Sequence, residues 1–137
     1  MTSPDATSQS LPNLAAFESL VDRALSTIPE PFAATARSLA IQVVDMPPAH
    51  MLRDLRIRNP MELTGLYQGI PLTEKSSFDQ PTQPDTIWLF RRPILAEWTE
   101  RGNEALGDLV AHVLVHELAH HFGWSDDDIA AIDEWWL

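Results

Sequence analysis

Two histidines and a glutamate in the last third of the chain have the spacing that metal-assisted hydrolysis requires. His116-Glu117-Leu118-Ala119-His120 follows the H-E-x-x-H pattern. On a helix, His116 and His120 lie one turn apart on the same face, so both imidazoles reach one cation. Glu117 projects from the neighbouring angle. It sits too close in sequence to complete the coordination comfortably, yet it reaches a water on the cation. There it can serve as general base and later pass the proton to a leaving amine. Two imidazoles and a carboxylate suit Zn²⁺, which lowers the pKa of its water to about 7, and they also suit some iron, cobalt or nickel sites.

The third protein ligand has to come from the residues that follow. Gly123 lets the chain turn sharply beneath the helix, and a residue three further on can return to the cation. Asp126 is therefore the first choice, with Asp127 or Asp128 next and Glu134 as an outside candidate. The same stretch also reads as a helix start: Ser125 with Asp128 resembles a capping box, and acidic side chains favour the positive end of a helix. His112, one turn before His116, packs or lines the cleft. His121 points about 100° away from His120, towards a backbone carbonyl or solvent, with a carboxylate near the site as a further partner. His50 has no partner legible in the sequence.

The elements that must hold these residues follow from periodicity. Leu14, Phe17, Leu20, Val21, Leu25 and Ile28 recur at helical spacing, and Pro29 and Pro31 end that helix. A short helix is expected over 32–37 and another within 49–58. Strands are expected over 39–45, 63–71 and 85–91, the second with glycines that suggest bulges or close backbone approach. Pro93 suits the first turn of a helix over 94–101, which Gly102-Asn103 breaks. Residues 104–122 carry apolar side chains around much of a helix, so that helix should be central and buried, with Gly123 as its left-handed cap. Residues 125–137 read as a final short helix. The five tryptophans are expected in the core or between helices. Helix, strands, then helices fit an α+β fold with one small sheet.

Composition narrows the function further. The chain has 137 residues, with 9 Lys+Arg against 20 Asp+Glu, a formal net charge of −11. That length supports a single domain, expected over 14–137 behind a flexible tail at 1–13. The acidic balance argues against nucleic acid and anionic membranes as partners, since phosphate binding needs clustered Lys and Arg. The chain has no cysteine. A disulfide scaffold, a Cys-ligated zinc or Fe–S site and a thiol nucleophile are thereby excluded, and any metal must rest on imidazole and carboxylate. Without a recognisable targeting segment or a membrane-length apolar run, a soluble cytoplasmic protein is expected.

The segment from His116 to Ile129, HELAHHFGWSDDDI, resembles the signature of the small bacterial zincin-like metallopeptidases. Upstream, LTGLYQGIPLT at 63–73 and DTIWLFRRPI at 85–94 resemble that family's strand blocks, and Phe17-Glu18-Ser19-Leu20-Val21 with Ile28-Pro29 fits its first helix. The resemblance implies a zincin-like fold, a small twisted mixed sheet packed on the active-site helix, and the Asp-ligand variant of the extended zinc motif. No Met follows Asp126, so the Met-turn of the metzincins is absent.

The resemblance implies a zinc-dependent peptidase, with Zn²⁺ held by His116, His120 and Asp126 and Glu117 activating the water. Its substrate would be a peptide or flexible protein segment that adds to an edge strand. Either 63–70 or 86–91 is a candidate for that edge. Tyr67 is a candidate to polarise the scissile carbonyl, against plain packing. Arg91 and Arg92 read as surface charge, as neutralisers of local carboxylates, or as binders of a substrate carboxylate. The alternative is a non-catalytic zincin-like module that binds metal and acts in protein interaction or regulation. Glu117 favours the enzyme, because a purely structural site has no use for it.

Overall fold

The computed structural model describes residues 11–30, 32–69 and 85–123. Helix α1 (Leu14–Ser26) begins where the Asn13 side chain accepts a hydrogen bond from the Ala16 amide at 2.9 Å, which satisfies one of the orphan N–H groups of the first turn. Its buried stripe is Phe17, Val21 and Ala24. A six-residue helix α2 (Phe32–Arg37) leads into strand β1 (Ala40–Val44), and α3 (Ala49–Leu55) and a 3-10 turn at Pro60–Glu62 follow. Strands β2 (Gly65–Gln68) and β3 (Thr86–Phe90) come next, and β3 runs directly into α4 (Arg91–Arg101). Last among the described elements is α5 (Leu106–His121).

The three strands order as β1-β3-β2, with β3 parallel to β1 and antiparallel to β2. This corrects one of the two expected edge strands: 86–91 is central, and β2 is at the edge of the described sheet. Sequence pattern alone does not reveal this, because Ile87, Leu89 and Phe90 are buried in a way that suits either a central strand or a covered edge. Alternation assigns Ile87 and Leu89 to one face of the sheet, with Ile41 and Val43 of β1 and Gly65 and Tyr67 of β2 as their register partners. That face packs on α5. On the opposite face Trp88 stacks on Phe90 at 6.5 Å, and the Trp88 indole donates to Gln68 Oε1 at 2.8 Å. Trp88 is thus a half-buried outer-face residue rather than part of the core.

Helix α5 lies between the sheet and α1. Leu109, Val110, Val113, Leu114 and Leu118 are buried on it, and they join Phe17, Val21, Ile87 and Leu89 in one apolar cluster. Complete burial of side chains of that size contributes roughly 1.5–3 kcal/mol each, so the helix bearing the histidines is among the best anchored parts of the fold. Trp98 of α4 donates to the Glu104 carbonyl at 2.7 Å, fixing the turn by which the chain enters α5.

Arg91 has a structural role that its sequence context hides. Its Nε donates to the Pro12 carbonyl at 2.8 Å and its guanidinium pairs with Asp45 at 3.2 Å, with only 16% of the side chain exposed. The surface-charge reading is therefore wrong for Arg91, and the end of the expected tail is tied to the start of α4. Arg92 is exposed. Among the described residues, no helix is long and apolar enough to cross a membrane.

Candidate metal centre

The site is built on the last two turns of α5. His116 and His120 occupy one face at i, i+4, with ring centroids 5.0 Å apart. Together with Glu117 they form the group of metal-competent side chains found among the described residues, each offering a donor atom within 4.8 Å of the others. All three are half-buried. They are thus open to a ligand while the helix beneath them is anchored. Two imidazole nitrogens and one carboxylate are a donor set suited to a divalent cation such as zinc. His112, although it lies on the same side of the helix, does not belong to this group.

The helix stops one residue after His120, at His121. Gly123 takes φ +82°, the left-handed conformation that glycine adopts without a Cβ penalty, and its amide donates to the His120 carbonyl at 2.9 Å. This is the expected cap, and it bonds the backbone of a candidate ligand. Asp126, Asp127, Asp128 and Glu134 lie outside the described residues, as do Trp124, Trp135, Trp136 and the expected final helix.

Strand β2 runs alongside the next stripe of α5, formed by Val113, Glu117 and His121. Gly65 faces the first two. A Cβ built there would stand 2.9 Å from Val113 Cγ1, 3.2 Å from Glu117 Cγ and 3.2 Å from the Trp88 carbonyl. Only glycine allows the strand this close to the base of the Glu117 side chain. The expected close backbone approach is therefore real, and it falls at the position that matters for the site.

Two residues along the strand, the Tyr67 hydroxyl donates to Asp85 Oδ2 at 2.9 Å and lies 3.0 Å from His121 Nδ1, which is 3.3 Å from the same carboxylate oxygen. The set is consistent when His121 carries its proton on Nδ1 and donates it to the phenol oxygen and the carboxylate. Burial pushes the Tyr67 phenol above its ordinary range, and the hydrogen bond to Asp85 and that carboxylate's charge push it further the same way. Tyr67 therefore stays a protonated donor committed to Asp85. Its ring packs against the apolar cluster, as the packing reading expects, while its hydroxyl is held by Asp85 and His121. His121 is only 4% exposed, so solvent is not its main partner. Of the readings the sequence left open for it, the carboxylate partner is realised, at Asp85.

This cluster was the main feature missed in the sequence. Tyr67 and His121 are 54 residues apart, and Asp85 immediately precedes β3. One signal was available: His121 is at i+4 from Glu117 and i+8 from Val113, so it falls on the stripe facing the sheet, where a buried imidazole requires a polar partner.

A family model described as zincin-like metallopeptidase matches residues 36–136, which spans both the sheet and α5. No curated protein matches the chain.

Proposed function

The chain belongs to the zincin-like metallopeptidase family, and from that premise we propose that it is a zinc-dependent peptidase acting on extended peptide segments. The observation that carries this reading is the convergence of His116, Glu117 and His120 donor atoms within 4.8 Å on an anchored helix, with the edge strand β2 packed beside Glu117. His116 and His120 would hold the cation, and Asp126 would complete the protein ligands. The left-handed conformation of Gly123, three residues after His120 and three before Asp126, is what that choice of third ligand rests on. When bound, the cation supplies Lewis-acid polarisation of the scissile carbonyl and makes a water more acidic.

The work of this chain's own residues then follows. The Glu117 carboxylate takes a proton from the attacking water as its oxygen bonds to the carbonyl carbon. It delivers that proton to the departing nitrogen and the C–N bond breaks; the remaining water proton passes to the amine, so the products leave as a carboxylate and an ammonium. A substrate in extended form would add to β2 through backbone hydrogen bonds, since no described strand pairs with its outer edge. Gly65 lets that strand lie against the Glu117 side chain.

Digestion of a peptide library by the zinc-loaded protein, read by mass spectrometry, tests the reading. Cleavage is expected that stops on chelation and returns with zinc. A zinc-loaded protein that cleaves nothing in a diverse library would favour the non-catalytic module instead.

A further inference from the structure

Three groups outside the metal set, Tyr67, Asp85 and His121, form a polar cluster between the end of α5 and the edge strand. His121 is 4% exposed and the Asp85 side chain 11%. Burying a carboxylate and an imidazole is costly unless their hydrogen bonds are met, and here each meets the others. The backbone closes over the cluster at Gly69, where a Cβ would stand 2.5 Å from Asp85 Cγ and 2.7 Å from the Tyr67 hydroxyl. The hydroxyl of an exposed, merely packing tyrosine has no need of such an enclosure.

The position of the cluster gives it a consequence. His120 lies in the last turn of α5, where carbonyls lack intrahelical partners and helices fray. That turn is held on two sides. Phe122 packs edge-on against Phe32 of α2 at 5.3 Å. His121 is bound to Tyr67 and Asp85, and its ring lies edge-on to Tyr67 at 5.4 Å. The residue next to His120 is therefore fixed to β2 through Tyr67 and to the start of β3 through Asp85. With Gly65 against Glu117, β2 and α5 are registered at two points, one beside the proposed base and one beside a proposed ligand.

We propose that Tyr67, Asp85 and His121 are positioning residues that lock the last turn of α5 to the sheet and so set His120 in place for metal binding. None of the three touches the reacting atoms. The inference rests on the metal-site reading above and deepens it.

The test measures zinc affinity by competition with a chromophoric chelator, which needs no turnover, in wild type, Tyr67→Phe, Asp85→Ala and Asp85→Asn. Tyr67→Phe keeps the ring against His121 and removes only the bridging hydroxyl, so folding is retained. Partners that orient ligands indirectly typically change affinity by about 10–100-fold. A loss near the lower end of that range is expected for Tyr67→Phe and a larger one for Asp85→Ala, with Asp85→Asn recovering most of it because its amide oxygen still accepts. Val21→Ala, in the core of α1, is the control for a general loss of stability and should leave zinc affinity unchanged. Zinc binding at wild-type strength in Tyr67→Phe and Asp85→Ala, or losses matched by Val21→Ala, would overturn the positioning role alone. A wild-type protein that binds no zinc would overturn the metal-site reading together with it.

Discussion

Gly65 stands directly against Glu117: a methyl group on its Cα would lie 3.2 Å from Glu117 Cγ and 2.9 Å from Val113 Cγ1. The side chain proposed to move the proton therefore packs against a residue with no side chain, on a neighbouring strand.

Gly65→Ala is expected to destabilise the protein by about 1–3 kcal/mol, the usual range for overpacking a filled interior. Hydrolysis should fall further than the stability loss explains, because Glu117 must shift. Val113→Ala in the same chain removes the nearest obstacle. Denaturant melts of the two single variants and the double variant should show favourable coupling between the positions. Strict additivity would mean that the close approach carries no strain.

Tyr67 is the only tyrosine in the chain, so the tyrosinate absorbance near 295 nm reports this one hydroxyl. Its folded pKa is raised above the value of 10.0 for a free phenol. The native state therefore holds the proton more tightly than the unfolded state does. The resulting stabilisation is complete below pH 10.0 and is lost as pH rises above it. A folded sample at about pH 10–11 should show little tyrosinate, while the same sample in denaturant ionises normally. Ordinary ionisation in the folded protein would contradict the enclosure of Tyr67 with Asp85.

Arg91→Ala should release the chain at Pro12 and leave Asp45 without its partner, costing about 1–3 kcal/mol. Arg91→Lys should not restore it, since one ammonium does not reproduce two donors held in a planar fork. The check is a pair of thermal melts with limited proteolysis at the N-terminal end. The metal site should retain its zinc affinity in both variants.

Zinc should raise the melting temperature of the wild-type protein. At a free concentration of about 100 times Kd the gain is about 2.7 kcal/mol. His116→Ala and His120→Ala should each abolish that gain while leaving the melt without metal close to wild type, because both side chains are half-buried rather than part of the apolar core. A zinc-dependent shift that survived both substitutions would move the binding site elsewhere.

The site was more legible in the sequence than the sheet around it. Helical spacing of His116, Glu117 and His120 depends only on local geometry, and the capping role of Gly123 follows from local backbone chemistry, so both could be read directly. The bounds of α2, β1 and β3 were also nearly right, because a proline or a change of period flanks each. Sheet order was not legible: the apolar run Ile87-Trp88-Leu89-Phe90 suits a strand covered on both faces but does not identify its neighbours. Arg91 illustrates the same limit, since its partners Pro12 and Asp45 are distant in sequence. The Tyr67–Asp85–His121 cluster combines both difficulties, being made of single polar residues from three elements whose meeting depends on tertiary packing.

Zinc content and peptide hydrolysis measured together in Glu117→Gln test the central claim most directly. The amide is nearly the same size and cannot accept the proton. The expected result is wild-type zinc stoichiometry with hydrolysis reduced by about 10²–10⁴-fold, the usual contribution of a general base. Hydrolysis at the wild-type rate by zinc-loaded Glu117→Gln would contradict the proposed chemistry.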